Sequence, residues 1–250
     1  MAGPTLVWFR DDLRIVDHPA LHAAVERGRP VVAAYVLDEH GDGVVITKIT
    51  RPDGTTAWSV TIPGTQRAGM GSEDHPFDML SNLDLEAGNV SDSELAVRSA
   101  MEQAGIGPDD PVVLTGHSQG GLIAQRLVEA GGFAVKAVLT LGSPTGTRTM
   151  SSKVPTLHVE NEGEPVAGLD GRPNRDDKYT TTVTRDLEDE RSKDPVKIHG
   201  IDTYEETADA IDQLDDASVN SWREAFEEVI GSGGEAESRA YSVHRLEIAR

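Results

Sequence analysis

Residues 111–121 read PVVLTGHSQGG, and residues 122–132 continue LIAQRLVEAGG. The first six are an apolar, β-rich run ending in glycine, which predicts a strand over 111–116. From Gln119 to Ala130 the apolar positions Leu122, Ile123, Leu127 and Val128 recur at helical spacing, and Gly131 and Gly132 stop the helix. Between strand and helix stands Gly116-His117-Ser118-Gln119-Gly120. A Gly-x-Ser-x-Gly match is weak alone; its place on a strand-to-helix turn gives it meaning. So sharp a turn closes only between small residues, and Gly116, Gly120 and Gly121 leave that room. Ser118 then sits at a helix N-terminus, where the dipole and free N–H groups favour negative charge. The pattern predicts Ser118 as a nucleophile, with the Gln119 N–H aimed at the developing oxyanion. The plainer alternative is a glycine-rich turn with an inert serine. His117 reads as a packing residue pointing away from the catalytic side.

On the N-terminal side, VVITKIT (44–50) and AWSVTI (57–62) flank the turn RPDGT, which predicts a hairpin. Residues 63–90 have little periodicity and read as a long loop. Ser91 and Glu94 fit a capping box opening a helix over about 92–104. On the C-terminal side, VKAVLTLGS (135–143), VPTLHVE (154–160) and the threonine-rich YTTTVTRDL (179–187) read as strands. Helices follow over about 203–214 and 221–230, and the Gly/Glu/Ser-rich residues 231–250 read as a weakly ordered tail. Alternating strands and helices predict an α/β fold, a mostly parallel sheet with helices on both faces. At the start of the chain, TLVWF (5–9) and VVAAYVL (31–37) bracket a helical stretch from Pro19 to Arg27, a βαβ unit with Asp17 as N-cap and Gly28 as stop. The polar break DEHGDG (38–43) marks a boundary, giving units 1–40, 41–230 and the tail 231–250.

A serine hydroxyl needs a base. The order expected on this kind of sheet is serine, acid, histidine. Among the 8 histidines, His158 lies in an apolar strand and reads as core, and His244 lies in the tail. His199 follows the threonine-rich strand and a polar loop, where a base can reach across the strand ends, and is the first choice. The acid should follow an earlier strand. Glu164, just after VPTLHVE, is favoured, with Glu162 and Asp170 as alternates; each could equally be a solvated loop carboxylate. The second oxyanion donor is expected from the Pro63-Gly64 turn, at the N–H of Thr65 or Gln66.

Composition bounds the rest. The chain has 250 residues and a formal net charge of -20, which disfavours bulk binding to phosphate backbones and predicts no nucleic-acid partner. It has 0 cysteines, so disulfides, cysteine-held metals and a cysteine nucleophile are excluded. No apolar run approaches the ~20 residues of a membrane span, and no signal peptide is seen, so a cytoplasmic protein is expected. No Walker loop, His-Glu-x-x-His or dinucleotide fingerprint occurs, so neither cofactor nor metal is expected. Oligomeric state is not legible.

Two resemblances add to this reading. Residues 44–215, through the GHSQGG elbow, the preceding PGTQ turn and the segment VENEGEPVAGLDG, resemble α/β-hydrolases related to lipases and actinobacterial hydrolases. In that likeness Glu164-Pro165-Val166 falls where such relatives carry the triad acid, and HGIDTY falls where they carry the triad histidine, His199. The likeness implies a carboxylic-ester hydrolase of serine esterase or lipase type, acting on a small-molecule or lipid ester. Residues 5–39, TLVWFRDDLRIVDHPAL and RPVVAAYVLDE, are similar to the opening of DNA photolyases and cryptochromes. That similarity implies a borrowed βαβ fragment rather than a DNA-repair enzyme. The alternatives to an esterase are an inactive hydrolase-like scaffold and a truncated photolyase-related module.

Overall fold

The computed structural model describes residues 5–9, 31–35, 43–147, 153–231 and 234–245. Strands β1 (Thr5–Phe9) and β2 (Val31–Tyr35) pair in parallel, from Thr5 opposite Val31 to Phe9 opposite Tyr35. They form a two-stranded sheet of their own. The helix expected over 19–27, its cap at Asp17 and the polar break at 38–42 lie outside the described residues.

The second sheet has seven strands: β3 (Val44–Thr50), β4 (Thr56–Ile62), β5 (Pro111–His117), β6 (Ala134–Leu141), β7 (Thr156–Asn161), β8 (Thr180–Arg185) and β9 (Glu235–Tyr241). Their order is β8-β7-β6-β5-β4-β3-β9. Strands β4 to β8 run parallel; β3 is antiparallel to both β4 and β9. The expected α/β fold with a mostly parallel sheet is therefore present. The turn between β3 and β4 is built as its residues predict. Gly54 sits at φ 83, and the Asp53 carboxylate accepts the Thr55 N–H at 2.9 Å.

Helices cover both faces. They are α1 (Met79–Glu86), α2 (Asp92–Ala104), α3 (Gln119–Ala130), α4 (Pro195–His199), α5 (Ile201–Ile211) and α6 (Ala217–Ile230). On one face Val97 and Met101 of α2 and Leu122, Ile123 and Leu127 of α3 pack on Val60, Val112 and Leu114. On the other, Phe226 and Val229 of α6 meet Val113 and Ala137, while Tyr204 and Ile211 of α5 meet Leu141, Leu157 and Val159. Val112, Val113 and Leu114 thus alternate faces along β5, as a pleated strand must. Each fully buried aliphatic side chain contributes about 1.5–3 kcal/mol.

Four expectations need correction. The loop expected over 63–90 contains α1, capped by Asp78, whose side chain accepts the Ser81 N–H at 2.9 Å. This helix is short and leaves Leu80 and Leu83 exposed, so no apolar period betrays it. The capping box at Ser91 is half made. Ser91 accepts the Glu94 N–H at 3.0 Å, but the buried Glu94 carboxylate turns to Arg126 of α3 at 3.2 Å. The last helix begins at Ala217 behind the cap Asp216, ahead of the Ser221 start expected. Lastly, the residues expected as a weakly ordered tail include β9. Its side chains are nearly all exposed and carry no strand pattern; backbone pairing to the free edge of β3 holds it.

Candidate active site

Strand β5 ends at His117, and the next residue leaves the strand by a turn that no ordinary side-chain-bearing residue favours. Ser118 has φ 53 and ψ -120, the only positive φ outside glycine among the described residues. Such a backbone costs about 1–3 kcal/mol and persists only where its surroundings impose it. Those surroundings are tight. A Cβ on Gly116 would lie 2.3 Å from Gly120 backbone atoms, and one on Gly120 would lie 2.2 Å from the Ile62 carbonyl oxygen. The Ser118 N–H continues the ladder to the Leu141 carbonyl at 2.9 Å, which fixes the residue against β6. Its side chain makes no capping bond to α3, so the hydroxyl is left available.

The Gln119 N–H opens α3, where no earlier turn supplies a carbonyl to receive it. The Gln119 side chain is buried and donates to the Asp78 carbonyl at 3.0 Å, tying the elbow to the start of α1. On the facing loop, Gly64 lies against the serine; a Cβ there would stand 3.0 Å from Ser118 Cβ. Of the two donors expected from this loop, Gln66 is removed, because its N–H is given to the Phe77 carbonyl at 2.8 Å. Thr65 remains, with its hydroxyl accepting from Asn82 at 2.9 Å.

The acid and base come from across the sheet. Glu164 follows β7, and its side chain is wholly buried. It accepts the N–H groups of Val166 at 2.7 Å and Ala167 at 2.9 Å, and the Tyr204 hydroxyl donates to it at 3.4 Å. His199 ends α4, with Nδ1 3.1 Å from Glu164 Oε1. The distance is that of an ion pair, but the N–H points off the line required for a hydrogen bond, so Nδ1 has no aligned acceptor. Burial alone would raise the Glu164 pKa; the His199 contact and the two backbone N–H groups outweigh it and hold the carboxyl below its ordinary value. Asn161 donates to the Ile198 carbonyl at 3.1 Å and Thr203 to the Lys197 carbonyl at 2.7 Å, which pins the turn carrying His199.

The other candidates lie elsewhere. Glu162 is exposed, and Asp170 accepts the Thr147 and Arg172 N–H groups at 2.8 and 3.3 Å. His158 is buried, its Nδ1 2.7 Å from Thr140 Oγ1, and burial pushes its pKa down to about 4. His244 is exposed beyond β9. His117 departs from expectation. It faces the site, its ring stacked on His199 with centroids 4.7 Å apart and planes at 30°, and its Nε2 donates to the His199 carbonyl at 2.9 Å. Burial, with the His199 charge adding, pushes His117 down to about 3. Neither this contact nor the Tyr204 hydroxyl on Glu164 leaves a mark in local sequence, because both depend on residues more than 35 positions apart. No hydrogen bond joins Ser118 to His199 among the described residues. Beside Glu164 a cavity of about 460 Å³ opens between Glu160, Glu162, Gly168, Arg172 and Thr184. Burial raises the Glu160 pKa there, with Glu164 and Asp170 adding to the shift. No helix among the described residues is long and apolar enough to cross a membrane.

Known proteins resemble the chain at its N-terminal end. The DNA photolyase family model matches residues 5–58, running past the polar break, through β3 and into β4. Two curated relatives are each named deoxyribodipyrimidine photo-lyase. That of Thermus thermophilus is 64% identical over 36 residues, covering 14% of this chain and 8% of the relative. That of Agrobacterium fabrum is 53% identical over 37 residues, covering 15% of this chain and 8% of the relative. The chain therefore spans about 8% of the length of the relatives it matches. No solved structure matches. These findings overturn two expectations. A carboxylic-ester hydrolase of esterase or lipase type is replaced by a photolyase likeness, and the family match gives an ester substrate no support. The exclusion of nucleic acid is likewise withdrawn, since the matching family is described as DNA photolyase and the relatives are named for a deoxyribodipyrimidine. What is shown of kinship is that this chain opens with a segment similar to DNA photolyases.

Proposed function

We propose that the chain joins a photolyase-related N-terminal segment to a separate α/β domain, of α/β-hydrolase type, in which Ser118 is a nucleophile. The observation that carries this reading is the strained Ser118 backbone at φ 53, on a turn from strand to helix. Strain of this kind persists where it sets up chemistry. His199 takes the hydroxyl proton as Ser118 Oγ attacks an electrophilic centre. Glu164 stabilises the imidazolium that forms, and the N–H groups of Gln119 and Thr65 hold the negative charge. The chain order serine 118, acid 164, histidine 199 supports the same assignment. The test is covalent labelling by a fluorophosphonate probe, located by mass spectrometry. Wild-type protein is expected to label at Ser118, and a folded Ser118→Ala variant is expected not to label. Folded wild type that stays unlabelled would sink the reading.

The match over residues 5–58 favours a second reading for that segment: contact with DNA carrying a pyrimidine dimer, the substrate class named by the relatives. A net charge of -20 gives no bulk attraction to phosphate, so such contact has to be local and salt-sensitive. Fluorescence anisotropy of the full chain with an ultraviolet-irradiated thymine-rich duplex is expected to show tighter binding than with the unirradiated duplex. Equal binding to both, or none, removes this reading.

A further inference from the structure

The geometry points to His117 as the residue that positions the base, holding the His199 ring against Glu164. This rests on the reading of Ser118 as nucleophile only for its catalytic meaning; the positioning itself is a property of the fold. The His199–Glu164 contact is close at 3.1 Å but poorly aligned, so Glu164 alone does not set the ring's orientation. His199 sits at the C-terminal end of a five-residue helix, where Asn161 and Thr203 pin the backbone turn but do not touch the ring. Two further contacts supply what is missing, and both come from His117. Its Nε2 lies 2.9 Å from the His199 carbonyl, and a carbonyl only accepts, so that nitrogen carries a hydrogen. Its ring stacks on the His199 imidazole, with centroids 4.7 Å apart and planes inclined at 30°.

The contacts close a circuit. His117 stacks on His199, His199 meets Glu164, the Tyr204 hydroxyl donates to Glu164, and the Tyr204 ring lies 5.8 Å from His117. Two stacked imidazoles cannot both hold a proton cheaply, and burial keeps His117 neutral. The other ionisable groups placed against the pair are Glu164, 3.1 Å from His199, and Tyr204, whose ring lies 5.8 Å from His117. Of these, Glu164 is the anion, its carboxyl held below the ordinary carboxylate value.

The test is NMR of the ring nitrogens in the full chain, with the His117→Phe and His117→Gln variants, alongside the pH profile of fluorophosphonate labelling. In wild type, His117 is expected to stay neutral with its hydrogen on Nε2 from about pH 5 to 9. In His117→Phe the His199 ring-nitrogen resonances are expected to shift and broaden, because a ring no longer held at Glu164 samples other orientations. Labelling of Ser118 should slow by about 10–100-fold. His117→Gln, whose amide can donate to the His199 carbonyl, should recover part of both. A wild-type His117 that titrates at its ordinary pKa, or a folded His117→Phe protein with unchanged His199 ring-nitrogen resonances, overturns the inference. Wild type that never labels while the NMR shift is present sinks the nucleophile and leaves His117 as the positioning residue.

Discussion

At Ser118 the usual ranking of small residues should invert. Alanine normally stabilises a fold relative to glycine, because glycine has more freedom to lose. At φ 53 and ψ -120 the Cβ is a liability and glycine is at ease. Ser118→Gly is therefore expected to be more stable than Ser118→Ala by about 1 kcal/mol, in urea unfolding followed by circular dichroism. The opposite order would mean that the backbone relaxes once the hydroxyl is gone. The place of Ser118 on a strand-to-helix turn, and the meeting of Glu164 with His199, were legible, because motif position and chain order are one-dimensional facts. What escaped the sequence was direction. Nothing in the order of residues said that His117 turns toward His199, or that the Gln66 N–H is given to Phe77. Such facts arise when segments distant in the chain meet.

At the scale of elements, α1 shows how a helix without an apolar stripe is held. Its cap Asp78 is buried and accepts the N–H groups of Ser81 at 2.9 Å and Ser72 at 2.6 Å, with Arg245 at 3.0 Å. Burial would raise the Asp78 pKa, but those two N–H groups and Arg245 together hold it below its ordinary value. Arg245 also meets Asp92 at 2.7 Å at the start of α2. One guanidinium from beyond β9 thus ties down the beginnings of two helices. Arg245→Met is expected to cost about 1–3 kcal/mol near neutral pH, since it leaves a buried carboxylate short of its counter-charge. Asp78 contributes through a lowered pKa, so its stabilisation is present above the ordinary carboxylate range and fades as pH falls through the lowered value. The gap between wild type and Arg245→Met in urea unfolding should therefore close on acidification. A gap that stays constant with pH would assign the loss to packing of the arginine stem. Strands β3 to β8 and helices α2 and α3 were readable from period and caps. Helix α1 and strand β9 were not, because capping and edge pairing, rather than apolar pattern, make them.

At the scale of the whole molecule, helices shield the seven-stranded sheet on both faces, and a polar strand, β9, guards the edge beside β3. That edge strand brings together two distant places in the chain. Val44, the first residue of β3, is paired with Tyr241, the last of β9, and Gly43 runs so close that a Cβ on it would stand 2.2 Å from the Tyr241 carbonyl oxygen. The first and last strands of this sheet thus meet at one point on its rim. The same closeness makes the domain a natural loop of chain. A short linker from Arg245 to Gly43, with a new opening cut in the exposed turn at 52–55, would give a circular permutant that keeps every strand in its place.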